Sequence, residues 1–124
     1  MAKACGLFLM TLLLGLVLAT TAHAAAFEGR WVGHWQNSLG EQGRDSLTLD
    51  QSAFGELRGF WTGHGEVWGE KTSGRSAHLQ GRDREGTSYD ITLRRDHNVI
   101  ELHYYATRPD GSTYEGWSSL HRRE

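Results

Sequence analysis

From residue 27 onward, apolar and polar side chains alternate in short runs separated by glycine-rich turns. That feature constrains the fold more than any other. A period of two puts each apolar set on one face of a strand, and no stretch of this region carries the 3.6-residue period of a helix. Phe27, Gly29, Trp31, Gly33 and Trp35 share the first face. Leu47 with Leu49, then Leu57, Gly59 and Trp61, mark the next two, with Phe60 large on the opposite side. Trp68 marks a short fourth strand, and Ala77 with Leu79 a fifth. Tyr89, Ile91 and Leu93 follow, then Ile100, Leu102, Tyr104 and Ala106, and finally Tyr114, Gly116, Ser118 and Leu120.

Turn signals fall between these runs, at 37–43, 52–55, 63–65, 69–74, 81–86, 96–98 and 108–111. Spacing this short predicts an all-β domain of about eight strands with consecutive strands antiparallel. The clearest hairpin is the last. Pro109 presets the first corner of its turn, Asp110 suits the second and Gly111 takes a left-handed position, between arms at Val99–Thr107 and Ser112–His121. A meander with one apolar face removes its edges by closing, so an up-and-down barrel is expected, with an open β-sandwich as the alternative. About eight strands enclose a lumen that side chains fill or that holds one small ligand.

The first 24 residues read differently. One positive charge at Lys3 precedes an apolar run from Gly6 to Ala19, and Ala22-His23-Ala24 follows as a small-residue cleavage site. This order is that of a signal peptide, so the expected organisation is a leader at 1–24 and one domain at 25–124, exported to the periplasm or secreted. Cleavage would remove Cys5, the only cysteine, and with it any internal disulfide, thiolate chemistry or Cys-type zinc site. It would also take one of the 13 basic residues, leaving the 15 acidic ones in mild excess. Such a balance gives no basic footprint for nucleic acid.

The segment Gly33-His34-Trp35-Gln36-Asn37-Ser38-Leu39-Gly40 fits the G-x-W-x-N-x-L-G opening strand of avidin-type proteins, and lipocalins open with a similar G-x-W. Gly55-Glu56-Leu57-Arg58-Gly59-Phe60-Trp61 is similar to the third strand of avidins. Over residues 29–63 the chain thus resembles calycin barrels. The resemblance implies a ligand in the barrel mouth and places Asn37 where avidin-type proteins bond the biotin ureido oxygen. It also places Glu41 where they carry a serine and Trp61 where they carry a tyrosine, and a carboxylate cannot donate to a carbonyl oxygen unless protonated. Biotin is therefore not the expected ligand.

Trp31 is expected to fill the core, while Trp35, Trp61 and Trp68 are candidates to line a cavity. The six histidines beyond the leader show no metal-ligand spacing, and a site assembled from strand ends would have to use His34 and His64. Asp90, Glu101 and Glu115 share an outward face with Arg94 and His103, where cross-strand pairing accounts for them. No nucleophile motif or phosphate loop occurs. The expectation is a non-enzymatic protein without cofactor, metal or membrane contact after cleavage, binding a small, partly apolar molecule through Trp35, Asn37, Trp61 and Tyr104. The alternative is a periplasmic inhibitor or protein-interaction module acting through its loops or its outer face, with Tyr105 and Trp117 as the interaction surface.

Overall fold

The computed structural model describes residues 26–123. The expected leader and Cys5 lie outside the described residues. Eight strands follow one another: β1 (Gly29–Asn37), β2 (Gln42–Gln51), β3 (Glu56–Trp61), β4 (Gly65–Lys71), β5 (Ser76–Arg82), β6 (Ser88–Asp96), β7 (Val99–Thr107) and β8 (Thr113–Arg123). Each pairs antiparallel with its sequence neighbours, and β8 pairs back onto β1, from Arg30 opposite Arg123 to Asn37 opposite Gly116. That last ladder closes the barrel and rules out the open sandwich.

Three hairpins use one piece of turn chemistry. Asn37, Ser52 and Asp83 each begin a turn whose fourth residue is a glycine at positive φ, Gly40, Gly55 or Gly86. In each, the side-chain oxygen of the first residue accepts from the backbone N–H groups two and four positions on. Asx and Ser turns of this kind satisfy donors that the bend takes out of the ladder. The Pro109 hairpin follows the same backbone course, with Gly111 donating to the Arg108 carbonyl at 2.9 Å and Gly111 at φ 87°. At Gly33, Gly59 and Gly69 the carbonyls of Ser119, Thr48 and His78 occupy the space a Cβ would need. Such glycines form the corners of a small barrel.

Odd-numbered positions of β1 to β6 and even-numbered positions of β7 and β8 face the lumen. One end is closed. Phe27, Trp31, Leu49, Leu57, Leu93, Ile100 and Leu120 are fully buried there, each contributing about 1.5–3 kcal/mol by burial. Phe27 does not belong to the first strand, as alternation suggested, but precedes it. Its carbonyl accepts from Trp31 Nε1 at 3.0 Å and its N–H donates to Gln51, which holds it as a plug. Arg122 lies over the Trp31 ring at 4.3 Å and donates to the carbonyls of Ala26 and Glu28. Trp31 thus fills the core, as expected. The loops at 38–41, 62–64, 83–87 and 108–112 frame the opposite end, the mouth.

Candidate functional site at the barrel mouth

The lumen changes character toward the mouth. Asp45 of β2 is only 5 % exposed and points inward. Its Oδ1 accepts from Trp61 Nε1 of β3 at 2.8 Å, and its Oδ2 from the Ser118 hydroxyl of β8 at 2.6 Å. An unpartnered carboxylate would not survive here, because transfer from water without compensating bonds costs several kcal/mol. Burial raises the Asp45 pKa above the ordinary aspartate range, while the Ser118 and Trp61 bonds and the nearby His64 pull it back.

Above this network sits His64, from the β3–β4 turn, with its ring centre 3.8 Å from that of Trp61. Its Nδ1 lies 3.1 Å from the Tyr89 hydroxyl, which itself donates to Asp83 Oδ2 at 3.0 Å. Since the tyrosine's one proton goes to Asp83, the imidazole must donate from Nδ1, and in the neutral ring Nε2 is left as acceptor. Burial lowers the His64 pKa, against the pull of Asp45 and Asp83. Burial likewise raises the Tyr89 phenol and pushes Tyr104 up to about 12. Tyr104 lies flat on Gly116 of β8, where any side chain would strike its ring, and meets Trp61 edge-on at 5.0 Å. Trp35 similarly covers Gly43 of β2. These rings hug the wall because glycine stands opposite them.

A recess of about 570 Å³ opens over this floor, lined by Phe60, His64, Asp83, Thr87, Tyr89, Arg108 and Tyr114 among others. The Arg108 guanidinium rests on the Tyr114 ring at 4.6 Å. The recess therefore offers aromatic faces, the guanidinium groups of Arg84 and Arg108, the carboxylates of Asp83 and Glu85, and a fixed hydroxyl–imidazole pair. Other depressions lie on the outer wall, one of about 610 Å³ around His34, Gln36, Arg44 and Trp117. It also takes in Trp35 and Ser118, but it lacks the fixed hydroxyl–imidazole pair of the mouth, which makes the mouth the better candidate.

All four residues expected to bind a ligand lie at the mouth end, but they differ in placement. Trp61 and Tyr104 meet edge-on in the buried lumen and do not line the recess. Trp35 is half-buried over Gly43. Asn37 serves the β1–β2 turn, with Oδ1 accepting from Leu39 and Glu41 and Nδ2 donating to the Glu41 carboxylate. Trp68, a candidate cavity residue, is instead on the outer wall and 46 % exposed. Its position follows from alternation, since Val67 and Gly69 take the inward places.

On the outer face Tyr105 and Trp117 are both exposed, with His103 interposed. His103 stands opposite Trp117 and stacks on it at 5.6 Å, and meets Tyr105 edge-on at 4.8 Å. The outward carboxylates pair chiefly with histidine, Asp90 with His78 at 2.5 Å and Glu115 with His103 at 3.0 Å, while Glu101 accepts from Ser119. His34 is on the outer wall and His64 over the lumen, so they cannot share a metal ion. Among the described residues no group of three His, Cys, Asp or Glu is placed to hold one.

The sequence does not single out Asp45, Tyr89, Tyr114 or Ser118 as site residues, and it offers His64 only as a metal ligand. The signal was partly present. The inward face set by Leu47 and Leu49 extends back through Asp45 and Gly43, and Ser118 shares its face with Leu120. His64 carried no such signal, because it lies in a turn and reaches the lumen only through the fold.

No protein-family description matches the chain, and no curated protein does. Among solved structures, EF1p2_mFAP2b bound to DFHBI aligns over 82 % of this chain and 98 % of its own, with a TM-score of 0.62 at 12 % identity. The redesigned β-barrel mFAP1 bound to DFHBI aligns over 81 % and 98 %, with a TM-score of 0.58 at 14 % identity. A de novo designed fluorescence-activating β-barrel aligns over 81 % and 96 %, with a TM-score of 0.53 at 19 % identity. Identities this low establish a shared fold, the closed eight-stranded antiparallel barrel, and nothing about the residues of a site.

Proposed function

We propose that this chain is an exported, calycin-like binding protein, not an enzyme, that takes a small, partly apolar molecule at the open end of its barrel. The observation that carries the reading is the split of the lumen. The fully buried side chains of the closed half are all apolar, whereas the mouth half holds two hydrogen-bonded sets, Asp45 with Trp61 and Ser118, and His64 with Tyr89 and Asp83, beside a recess of about 570 Å³. Polar groups inside a small barrel cost stability unless paired, and departures from a purely apolar interior concentrate at functional sites. Two barrels of the same fold bind DFHBI, which supports a small-molecule role without identifying a ligand here. The recess itself favours a flat aromatic molecule bearing an acidic group, stacked near Tyr114 with its charge toward Arg108.

The test is a fluorescence titration with two probes, 8-anilinonaphthalene-1-sulfonate and DFHBI, on the chain without its leader. Saturable binding should weaken about tenfold in Tyr114→Ala, the equivalent of roughly 1.4 kcal/mol. Trp117→Ala on the outer wall should leave it unchanged. No saturable binding, or equal loss in both variants, refutes the reading. A second reading, a protein-interaction module, draws on the exposed Tyr105–His103–Trp117 cluster. It would lead if the mouth bound neither probe.

A further inference from the structure

One row of outward side chains crosses four strands in strict register. Trp68 of β4 stands opposite Gln80 of β5, Gln80 opposite Asp90 of β6, and Asp90 opposite Tyr105 of β7. The two ends are aromatic and exposed, Trp68 at 46 % and Tyr105 at 56 %. The middle is made of an amide and a carboxylate. Three strand spacings separate the ends, about 14 Å along the row. Between them lies a groove of about 620 Å³ that also takes in Arg82, Ser88 and Thr107. Asp90 is not a loose surface charge. His78 Nε2 holds its Oδ1 at 2.5 Å, so the carboxylate is fixed in direction while its side chain stays largely exposed.

We propose that this outer strip is a second binding site, separate from the mouth, for a β-1,4-linked oligosaccharide. A pyranose ring has a face of C–H groups that packs on an aromatic ring and a rim of hydroxyls that both donate and accept. Gln80 can do both, and Asp90 accepts in a fixed direction. A β-1,4 chain is extended, so it can follow the row around the barrel wall, meet an aromatic platform at each end and put its hydroxyls over the polar middle. The span suits a short oligosaccharide and exceeds one sugar ring.

The composition of the strip argues against the two other occupants that use exposed aromatics. A protein interface needs about 800 Å² per partner around a dry, apolar centre, and here the centre is the polar part. Single-stranded nucleic acid also stacks on aromatics, but in a positively charged groove, and here a carboxylate sits in the middle of the row. A neutral, hydroxyl-rich ligand fits both the charge and the pattern. The site shares Tyr105 with the outer aromatic cluster, but uses it with Trp68 across the strip.

The test is an amide and indole NMR titration of the chain without its leader, using cellohexaose and chitohexaose in parallel. One of the two should shift the Trp68 indole N–H, the Gln80 side-chain amide and the backbone amides of Asp90 and Tyr105. Trp68→Ala and Tyr105→Ala should each weaken that binding at least about tenfold with thermal midpoints unchanged, as expected for exposed positions. Tyr114→Ala at the mouth should leave it intact, which separates this site from the one proposed above. Three outcomes overturn the inference: no shift in the strip with either sugar at roughly 10 mM, well above a millimolar dissociation constant; shifts centred on the mouth; or loss confined to one of the two aromatic variants.

Discussion

Asp45 can be used to ask what a buried carboxylate does inside a small barrel. In Asp45→Ala the Trp61 indole N–H and the Ser118 hydroxyl both lose their acceptor in the interior. Each orphaned donor costs about 1–3 kcal/mol. Removing a carboxylate whose pKa is raised by burial returns part of that cost, since its charge was incompletely solvated. The net expectation is a loss of roughly 2–4 kcal/mol, a large share of the 5–15 kcal/mol that holds a domain folded. Asp45→Asn should behave differently. Its amide oxygen still accepts from Trp61, and the Ser118 hydroxyl can rotate to accept from the amide nitrogen, so both bonds persist without the buried charge. Asp45→Asn is therefore expected to be neutral or stabilising near pH 7. The pH dependence follows from the sign of the shift. A carboxyl with a raised folded pKa binds its proton earlier in the folded state, so the wild type gains stability as pH falls through that value toward 3.8. The advantage of Asp45→Asn should shrink over the same window. Urea unfolding followed by tryptophan fluorescence reads all three proteins. If Asp45→Asn were as damaging as Asp45→Ala, the charge itself, through His64, would be what the fold requires, and the hydrogen-bond account would be wrong.

Other perturbations probe neighbouring claims. Gly116→Ala drives a methyl into the Tyr104 ring and should cost about 1–3 kcal/mol by overpacking, with the urea midpoint partly restored by Tyr104→Leu in the same chain. His64 is held neutral by burial. The stability it lends is therefore present above pH 6.5 and lost as pH falls from there through its lowered value, and His64→Gln should flatten thermal midpoints over that range. Asn37→Ala should cost about 0.5–1.5 kcal/mol through its turn bonds and leave probe binding at the mouth unchanged; a binding defect would restore the ligand role that the resemblance implied. Arg122→Ala removes the clamp over Trp31, and hydrogen exchange should show the Phe27 amide losing protection while the mouth amides keep theirs.

The eight strands and their turns were legible because the barrel wall is one residue thick and has two different sides. Most inward Leu, Ile and Trp residues are followed by an outward polar one, as in Leu47-Thr48, Leu49-Asp50 and Leu93-Arg94, and such alternation survives without any tertiary information. Closure was an inference from edge removal, and the β1–β8 ladder supplies it. The mouth was only half legible. Trp61 and Tyr104 announce themselves as large apolar residues on inward faces. Asp45 hides in the polar run Glu41–Ser46, where a charged residue reads as turn or surface. Its burial depends on partners 16 and 73 residues away along the chain. Asn37 carries a second account beside the ligand role. Its match to a ligand-binding pattern is real, yet Ser52 and Asp83 make the same turn bonds at other hairpins, Ser52 at the closed end of the barrel. The bend by itself therefore accounts for these bonds, whatever else Asn37 does.

The same one-residue-thick wall places the two proposed sites back to back. Tyr89 faces the lumen and Asp90 the outer strip; Tyr104 packs on Trp61 inside and Tyr105 ends the strip outside. Tyr89 lines both the mouth recess and the outer groove, so β6 is where the two sites would be coupled. Coupling of this kind is reciprocal: a ligand that tightens β6 against β7 from one side changes the affinity on the other by the same factor. If both sites bind, filling the mouth should alter the sugar affinity through the Tyr89–Asp90 and Tyr104–Tyr105 steps. The β1–β2 side of the wall, remote from the strip, should be unaffected.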